Sequence, residues 1–250
     1  GRIIDRAVKW DLGVNFSLNR SKVLVLSEDK DIFGGELDNT ILKDQLNLMR
    51  VGEPMYVFYG YVEDGYDENG HIVYKNMDDD PAITAADKTI IGDPNPDFLV
   101  NLTTAVSYKG FTLSAFFQSS IGNDIYSLSM AAQAYDYGYN GNTLREVYYN
   151  HWTPENPTAK YPNLDQTSYK MSDRFVYDGS FVRLKNLELA YDVPCARSKF
   201  IKRARVYVSA QNLFTITSYP FWDPDINANG GGSSMIQGVD SYCYPSARTY

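Results

Sequence analysis

Cysteine is nearly absent. Cys195 and Cys243 are the only two in 250 residues, too few for a disulfide framework and without metal-ligand spacing. Histidine is as scarce, with His71 and His151 alone available as general bases. No Gly-x-Ser-x-Gly elbow accompanies them, so nucleophilic catalysis has little footing. No apolar run approaches the roughly 18 to 20 residues of a membrane-spanning helix. That excludes a helical membrane protein but not a membrane β-barrel, whose strands carry a weaker signal. No cluster of Lys and Arg is present, and 23 of them against 31 Asp and Glu leave a net charge of −8. That balance argues against a phosphate-backbone partner, so no nucleic acid is expected. No signal peptide is present and Gly1 reads as an internal start, so targeting has to be inferred indirectly.

What the chain does have is tyrosine, 21 of them beside 12 Phe and 3 Trp, and strand-period alternation. In Trp10–Asn19 every even position is apolar and every odd one polar or Gly, which gives a strand one oily and one wet face. Val100, Leu102, Val106 and Tyr108 repeat the pattern, Lys109-Gly110 makes a tight turn, and Phe111, Leu113, Ala115 and Phe117 return. Phe116 breaks the rule. Leu187, Leu189, Tyr191 and Val193 form the next strand, followed by Val206, Val208 and Ala210. Parity switches near Asn186, because Val182 and Leu184 are even where the later apolar residues are odd, and a β-bulge is expected there.

The connections sort by length. Turns at Lys109-Gly110 and around Pro194–Lys202 are short, whereas 20–97, 121–178 and 215–245 are long, in strict alternation. An up-and-down arrangement puts every long loop at one end. A soluble sandwich has no reason to do this; transmembrane barrels do, with short periplasmic turns and long extracellular loops. The expected fold is therefore all-β, an antiparallel up-and-down transmembrane β-barrel segment of about six strands, with long extracellular loops and one short loop helix. That helix is expected after Asn142 or Thr143, with Leu144, Val147, Tyr148 and His151 on one face and Pro154 as stop. Asp67–His71 reads as the turn of a small hairpin between Tyr66 and Tyr74. Gly230–Ser234 reads as a loop tip, not a phosphate-cradling loop.

Two sets of residues are candidates for chemistry. Asn76, Asp78, Asp80 and Asp87 occupy the first, third, fifth and twelfth positions of a calcium-loop spacing. Pro81 stands where such a loop needs Gly, and Asp87 replaces the longer Glu, so a degenerate acidic turn is the competing reading. Aromatic residues crowd the long loops, among them Tyr135, Tyr137, Tyr139 and Trp222. Their faces suit the apolar faces of sugar rings while hydroxyl or indole N–H takes a hydrogen bond. Loop packing and an interfacial girdle are the alternatives.

Several stretches, in order over almost the whole chain, resemble the SusC/RagA-type TonB-dependent transporters. They include Val51-Gly52-Glu53-Pro54, Ile91-Gly92-Asp93-Pro94-Asn95-Pro96-Asp97-Phe98, Tyr108-Lys109-Gly110-Phe111, Gly122-Asn123-Asp124-Ile125-Tyr126 and Trp152-Thr153-Pro154-Glu155-Asn156-Pro157. Asp178–Asn186 and Val206–Phe214 complete the set. The resemblance implies that residues 1–250 are the C-terminal part of a barrel of twenty-two strands in the Gram-negative outer membrane. The plug domain and final strand would lie outside these residues. It implies import of oligosaccharides, or in some cases peptides, with a SusD-type surface lipoprotein as partner and the TonB complex as energy source. No cofactor is implied beyond the calcium that the acidic loop suggests.

In this topology Trp10, Leu12, Val14, Phe16 and Leu18 face lipid, and Asn15, Ser17 and Asn19 face the lumen. Cys195 and Cys243 fall at opposite ends of a strand, some 30 Å apart, beyond the roughly 7 Å of a disulfide. The rival readings are a soluble β-rich carbohydrate-binding module, whose strands would meet a second sheet, and a glycosidase using loop carboxylates.

Overall fold

The computed structural model describes residues 1–38, 42–135, 142–195, 200–226 and 235–250. Six strands form one antiparallel sheet in chain order: β1 (Arg2–Asp5), β2 (Val8–Ser17), β3 (Phe98–Tyr108), β4 (Phe111–Ile121), β5 (Phe181–Val193) and β6 (Ala204–Thr217). The meander is the up-and-down order that the loop lengths require. Lys109 and Gly110 both take positive φ at the β3–β4 turn, the backbone of a tight hairpin matched to strand twist. Leu18 and Asn19 lie just beyond β2.

Register aligns the apolar residues into rows. Trp10 pairs with Val106, Val106 with Leu113, Leu113 with Leu189 and Leu189 with Val208. Another row joins Val14, Leu102, Phe117, Leu184 and Phe214. Directly paired residues share a face, so this is one continuous oily surface. The opposite face carries rows such as Asn15, Asn101, Gln118, Arg183 and Thr215. Register shifts at Leu184/Asn186 against both neighbours make Lys185 the bulge residue on β5. The bulge returns Val182 and Leu184 to the oily face, as the parity switch demanded. Phe116, the exception, pairs with Asn186 on the polar side.

The oily face is not covered. Val14, Phe16, Val206, Val208 and Ile216 are 60–67 % exposed. Its polar side chains are satisfied within the sheet: the Trp10 indole donates to Thr104 Oγ1 at 2.9 Å, and Ser119 donates to the Val100 carbonyl. Hydrocarbon offers no partner to a stray polar group, so this is the pattern a lipid-facing surface needs. From the Val8 row to the Phe16 row is about 26 Å of strand, enough once tilted to cover most of a barrel's apolar band.

The buried apolar core lies elsewhere. Its cluster draws Leu42, Leu46, Phe58 and Tyr61 from the first long connection, Tyr126, Val147, Met171 and Phe175 from the second, and Val239 from the third. None of its members belongs to β1–β6. No second sheet covers the oily strand faces among the described residues, which overturns the soluble-module reading.

Short strands stitch this loop body together, including Asp124–Ser127 between Val176–Asp178 and Val239–Asp240. The expected hairpin is present as Glu63–Tyr66 against Ile72–Tyr74. Gly70, at φ 80°, closes its tip, where a Cβ would strike the Trp152 ring.

Two local expectations change. The loop helix is only Arg145–Tyr149 (α2), and neither Asn142 nor Thr143 caps it; Thr143 instead donates to the Gln133 carbonyl at 2.8 Å. His151 lies past its end. A further helix, α1 (Leu128–Tyr135), is buried almost throughout, so it has no polar face to give the 3.6-residue alternation away. Cys195 and Cys243 form no disulfide.

The acidic loop is a chain of local caps. Asn76 Oδ1 accepts from Asp78 N, Asp78 Oδ1 from Asp80 N, and Asp80 Oδ1 from Ala82 N, at 2.9–3.1 Å. Asp87 is fully buried, and its two carboxylate oxygens take the Met77 and Thr84 N–H groups, each at 2.7 Å. One carboxylate oxygen each of Asp78 and Asp80, and both of Asp87, are taken by backbone N–H groups, and no group of three or more His, Cys, Asp or Glu placed to hold a metal occurs among the described residues. The backbone donors of Met77 and Thr84 hold the Asp87 carboxyl below its ordinary range.

Two outcomes follow for the intact receptor. Val14→Lys on the oily face is expected to cost about 2–4 kcal/mol in barrel stability, against far less for Ser107→Lys on the inner face, measured by urea unfolding in lipid vesicles. Asp87→Asn lowers the thermal midpoint at neutral pH, while Ca²⁺ or a chelator leaves the wild-type midpoint unchanged. Because the folded-state pKa is depressed, the Asp87 contribution is whole above about pH 4 and fades as pH falls below it, which a pH series of midpoints checks.

Candidate ligand-binding site

At the long-connection end of the sheet the inward row ends in amide, hydroxyl and guanidinium groups. Asn101, Gln118, Arg183 and Thr215 form one line, with Ser120, Phe181 and Thr217 one step beyond. The third long connection folds back over this edge through Trp222–Asp225 and Pro245–Arg248 and leaves two hollows beneath it. One, of about 350 Å³, is lined by Arg183, Asn212, Thr215, Trp222, Asp223 and Arg248 among others. Its neighbour, of about 220 Å³, is lined by Asn101, Gln118, Asn123, Phe181, Pro224 and Asp225 among others.

The Arg183 ion pairs stand between them. Its side chain is 2 % exposed and pairs with Asp223, itself 8 % exposed, and with Asp225 at 3.4 Å. Nε donates to Thr215 Oγ1 at 2.9 Å and a terminal nitrogen to Ser246 Oγ at 3.1 Å. Burial alone would raise the Asp223 carboxyl; the Ser246 and Asp225 N–H groups and the guanidinium outweigh it and hold it below its usual range. One residue lining each hollow carries a buried carbonyl oxygen, Asn101 Oδ1 and Asn212 Oδ1, that receives no hydrogen bond among the described residues. Asn212 sits at φ 52°, in the irregular stretch where β6 slips against β5. A buried acceptor without a donor is costly, so these two amides are points of strain beside the hollows.

Of the four aromatic residues expected to meet a ligand, two lie among the described residues, and of these Trp222 lines a hollow. It is 57 % exposed and stacked on Phe221, with ring centroids at 4.8 Å and planes within 17°. Tyr135 is packing instead. It ends α1 at 4 % exposure, stacks on Tyr169 at 3.7 Å and meets Phe175 edge-on. Burial pushes its phenol well above the ordinary value. Tyr137 and Tyr139 lie outside the described residues, as does the loop tip at Gly230–Ser234. The acidic loop at Asn76–Asp87 contributes to neither hollow.

Sequence reasoning missed Arg183, Asp223, Asn101 and Asn212. The available signal was a charged residue at an inward strand position, with the acidic Trp222-Asp223-Pro224-Asp225 turn to receive it. Neither histidine lines the two hollows. His71 is half-exposed at the hairpin and lies 2.8 Å from Asp165, and His151 Nδ1 lies 2.8 Å from the Tyr148 carbonyl.

Comparison with known proteins agrees with this architecture. No family model matches the chain. TonB-dependent receptor P3 of Formosa agariphila is 31 % identical over 269 residues, covering 99 % of this chain and 26 % of that receptor. TonB-dependent receptor SusC of Bacteroides thetaiotaomicron is 27 % identical over 258 residues, covering 99 % and 24 %. The RagAB peptide importer superposes with a TM-score of 0.80 in its closed-closed state, at 24 % identity, and 0.76 in its open-open state, at 25 %. Each superposition covers 99 % of this chain and about a quarter of the solved one, 27 % and 26 %. The chain thus spans about a quarter of the length of its relatives. With an oily outer face, a polar inner face and its core in the loops, it belongs to the SusC/RagA-type TonB-dependent receptors of the Gram-negative outer membrane, as a segment of their β-barrel.

Proposed function

We propose that the protein containing this chain imports nutrient molecules across the outer membrane, with oligosaccharides as cargo. The observation that carries this reading is the inverted sheet: apolar rows outward, amides and hydroxyls inward. Such a wall encloses a polar passage and catalyses nothing, so the work is selective binding and gated movement. In this reading residues 1–250 are the C-terminal part of the barrel. A SusD-type surface lipoprotein seats on the loop body, and the TonB complex acts through parts of the receptor outside these residues.

The cargo assignment rests on the hollow beside Trp222. An exposed indole face and the hydroxyls of Thr215 and Thr217 suit a neutral ring bearing hydroxyl donors. Peptide is the second reading, favoured by the likeness to the RagAB peptide importer. Backbone N–H groups would serve the same acceptors.

Calorimetry on the intact receptor with its lipoprotein, across neutral glycans and unstructured peptides, decides between them. Binding of a glycan is expected, weakened about tenfold by Trp222→Ala, roughly the worth of one stacked aromatic contact. Binding of peptides alone would replace the oligosaccharide reading.

A further inference from the structure

The third long connection leaves the sheet after β6 and returns to it at Pro245–Arg248, and one side chain of the wall holds both ends. Arg183, on the inward face of β5, pairs with Asp223 and Asp225 on the outgoing limb and donates to Ser246 on the returning one. The two limbs are tied to each other there as well: Asp223 accepts the N–H groups of Asp225 and Ser246, both at 2.9 Å. Beyond this neck the chain runs along β6, where Asn212 Nδ2 donates to the Ala247 carbonyl at 2.9 Å and Gln211 and Thr249 exchange backbone bonds at 2.8 and 3.3 Å.

The two limbs, at Asp223–Asp225 and at Ser246, are therefore held together at the wall by a buried guanidinium. Trp222 is the residue immediately before the neck. Thr215, which receives Arg183 Nε, lines the same hollow as Trp222.

We propose that Arg183 is a positioning residue: it clasps the neck of the third connection to the barrel wall and thereby fixes Trp222 over the larger hollow. The physics favours one clasp over many weak contacts. Each Arg183 donor nitrogen has a partner, and the pair with Asp223 is almost wholly desolvated, so removal of either partner leaves the other a buried charge without its principal counter-charge. The outcome is a two-state neck, closed on the wall or released from it, with little in between. A lysine at 183 supplies the charge without the planar fork and cannot reach Thr215, Ser246 and the carboxylates together.

The natural thiol of Cys243, three residues before Ser246, is the reporter; Cys195 sits at the opposite, short-turn end. The assay is the labelling rate of Cys243 by a membrane-impermeant maleimide on whole cells expressing the full-length receptor, read by peptide mass spectrometry. Heat-modifiable electrophoretic migration serves as the check on the barrel.

Asp223→Asn and Arg183→Gln are expected to raise the rate by at least about tenfold with the barrel intact, Arg183→Lys to give an intermediate rate, and the exchange of Arg183→Asp with Asp223→Arg to bring it back towards wild type. An unchanged rate in both single variants overturns the proposal. So does loss of the barrel in Asp223→Asn, because that side chain belongs to the connection and not to the wall; if the Arg183 variants alone fail to fold, Asp223→Asn decides.

The link to Trp222 rests on the import reading, whereas the labelling rate does not. A released neck with no change in glycan binding would keep the clasp and remove its role in ligand positioning.

Discussion

In hydrocarbon a backbone or side-chain polar group has no solvent to fall back on, and the rest of this structure follows from that constraint. It demands an unbroken ladder, and β2 through β4 supply one: Val8 to Ser17 pairs residue for residue with β3, and Phe98 to Tyr108 with β4. It demands that polar side chains on the outer face be answered locally, and Thr104 and Ser119 are. It also tolerates a bulge only where the alternation can be restored. At Lys185 one extra residue shifts β5 so that Val182, Leu184, Leu187 and Leu189 all point outward. Without that bulge two of these four residues would turn into the polar interior.

A wall that spends its apolar face on lipid has no face left for a protein core. The long connections therefore build one of their own, and the small strands there do what a second sheet does in a sandwich. The parallel pairing of Tyr126 with Val239 joins the second connection to the third. A buried hydroxyl network reinforces it: the Tyr219 hydroxyl bonds to Asp240 Oδ2 and Ser127 Oγ, and Ser129 donates to Asp240 Oδ1. The first connection enters through Asn47, whose amide donates to the carbonyls of Tyr56 and Gln237. The loop body is thus one packed unit on a wall that shares none of its core, and polar contacts at the boundary set how the two sit together. Arg183 is the most deeply buried charge at that boundary.

Legibility in the sequence divides along the same line. The wall was readable because its pattern has one period and one reason. Alternation from Trp10 to Phe16, the Lys109-Gly110 turn and the parity switch before Leu187 each have a single physical explanation, and the length sorting of the connections gave the topology. The loop body resisted because its burial has no period. Leu128–Tyr135 is inward on every side, so nothing in its apolar pattern separates it from a short strand, and Tyr135 reads as a ligand contact until Tyr169 is found stacked on it. Asp87 fitted a metal spacing because capping carboxylates and metal-ligating carboxylates are drawn from the same residues; which one is present depends on where the neighbouring N–H groups point. The site residues were hidden for a related reason. Arg183 and Asp223 lie 40 positions apart and meet only once the third connection folds back.

The tyrosine surplus now has a physical account. Tyrosine is an apolar ring with one polar tip, and each environment of this molecule uses that combination differently. At the short-turn end Tyr108 pairs directly with Phe111, whose ring lies 4.5 Å from Tyr191, and Lys109 sits 5.2 Å over the Tyr108 ring. Rings against the apolar band and hydroxyls or amines beyond it are what an interfacial girdle needs. Inside the loop body the rings fill volume, and the hydroxyl is a liability unless bonded. Tyr219 is held by Asp240 and Ser127 and Tyr74 by the Lys170 N–H, whereas the Tyr135 hydroxyl is buried without a hydrogen-bond partner among the described residues. Ring packing has to outweigh that unmet hydroxyl. Phe58 stands edge-on to Tyr126, and Tyr169 and Phe175 enclose Tyr135. A soluble protein of this composition would be strange; a wall that meets lipid, carrying a loop body that must make a core from what the wall does not use, requires it.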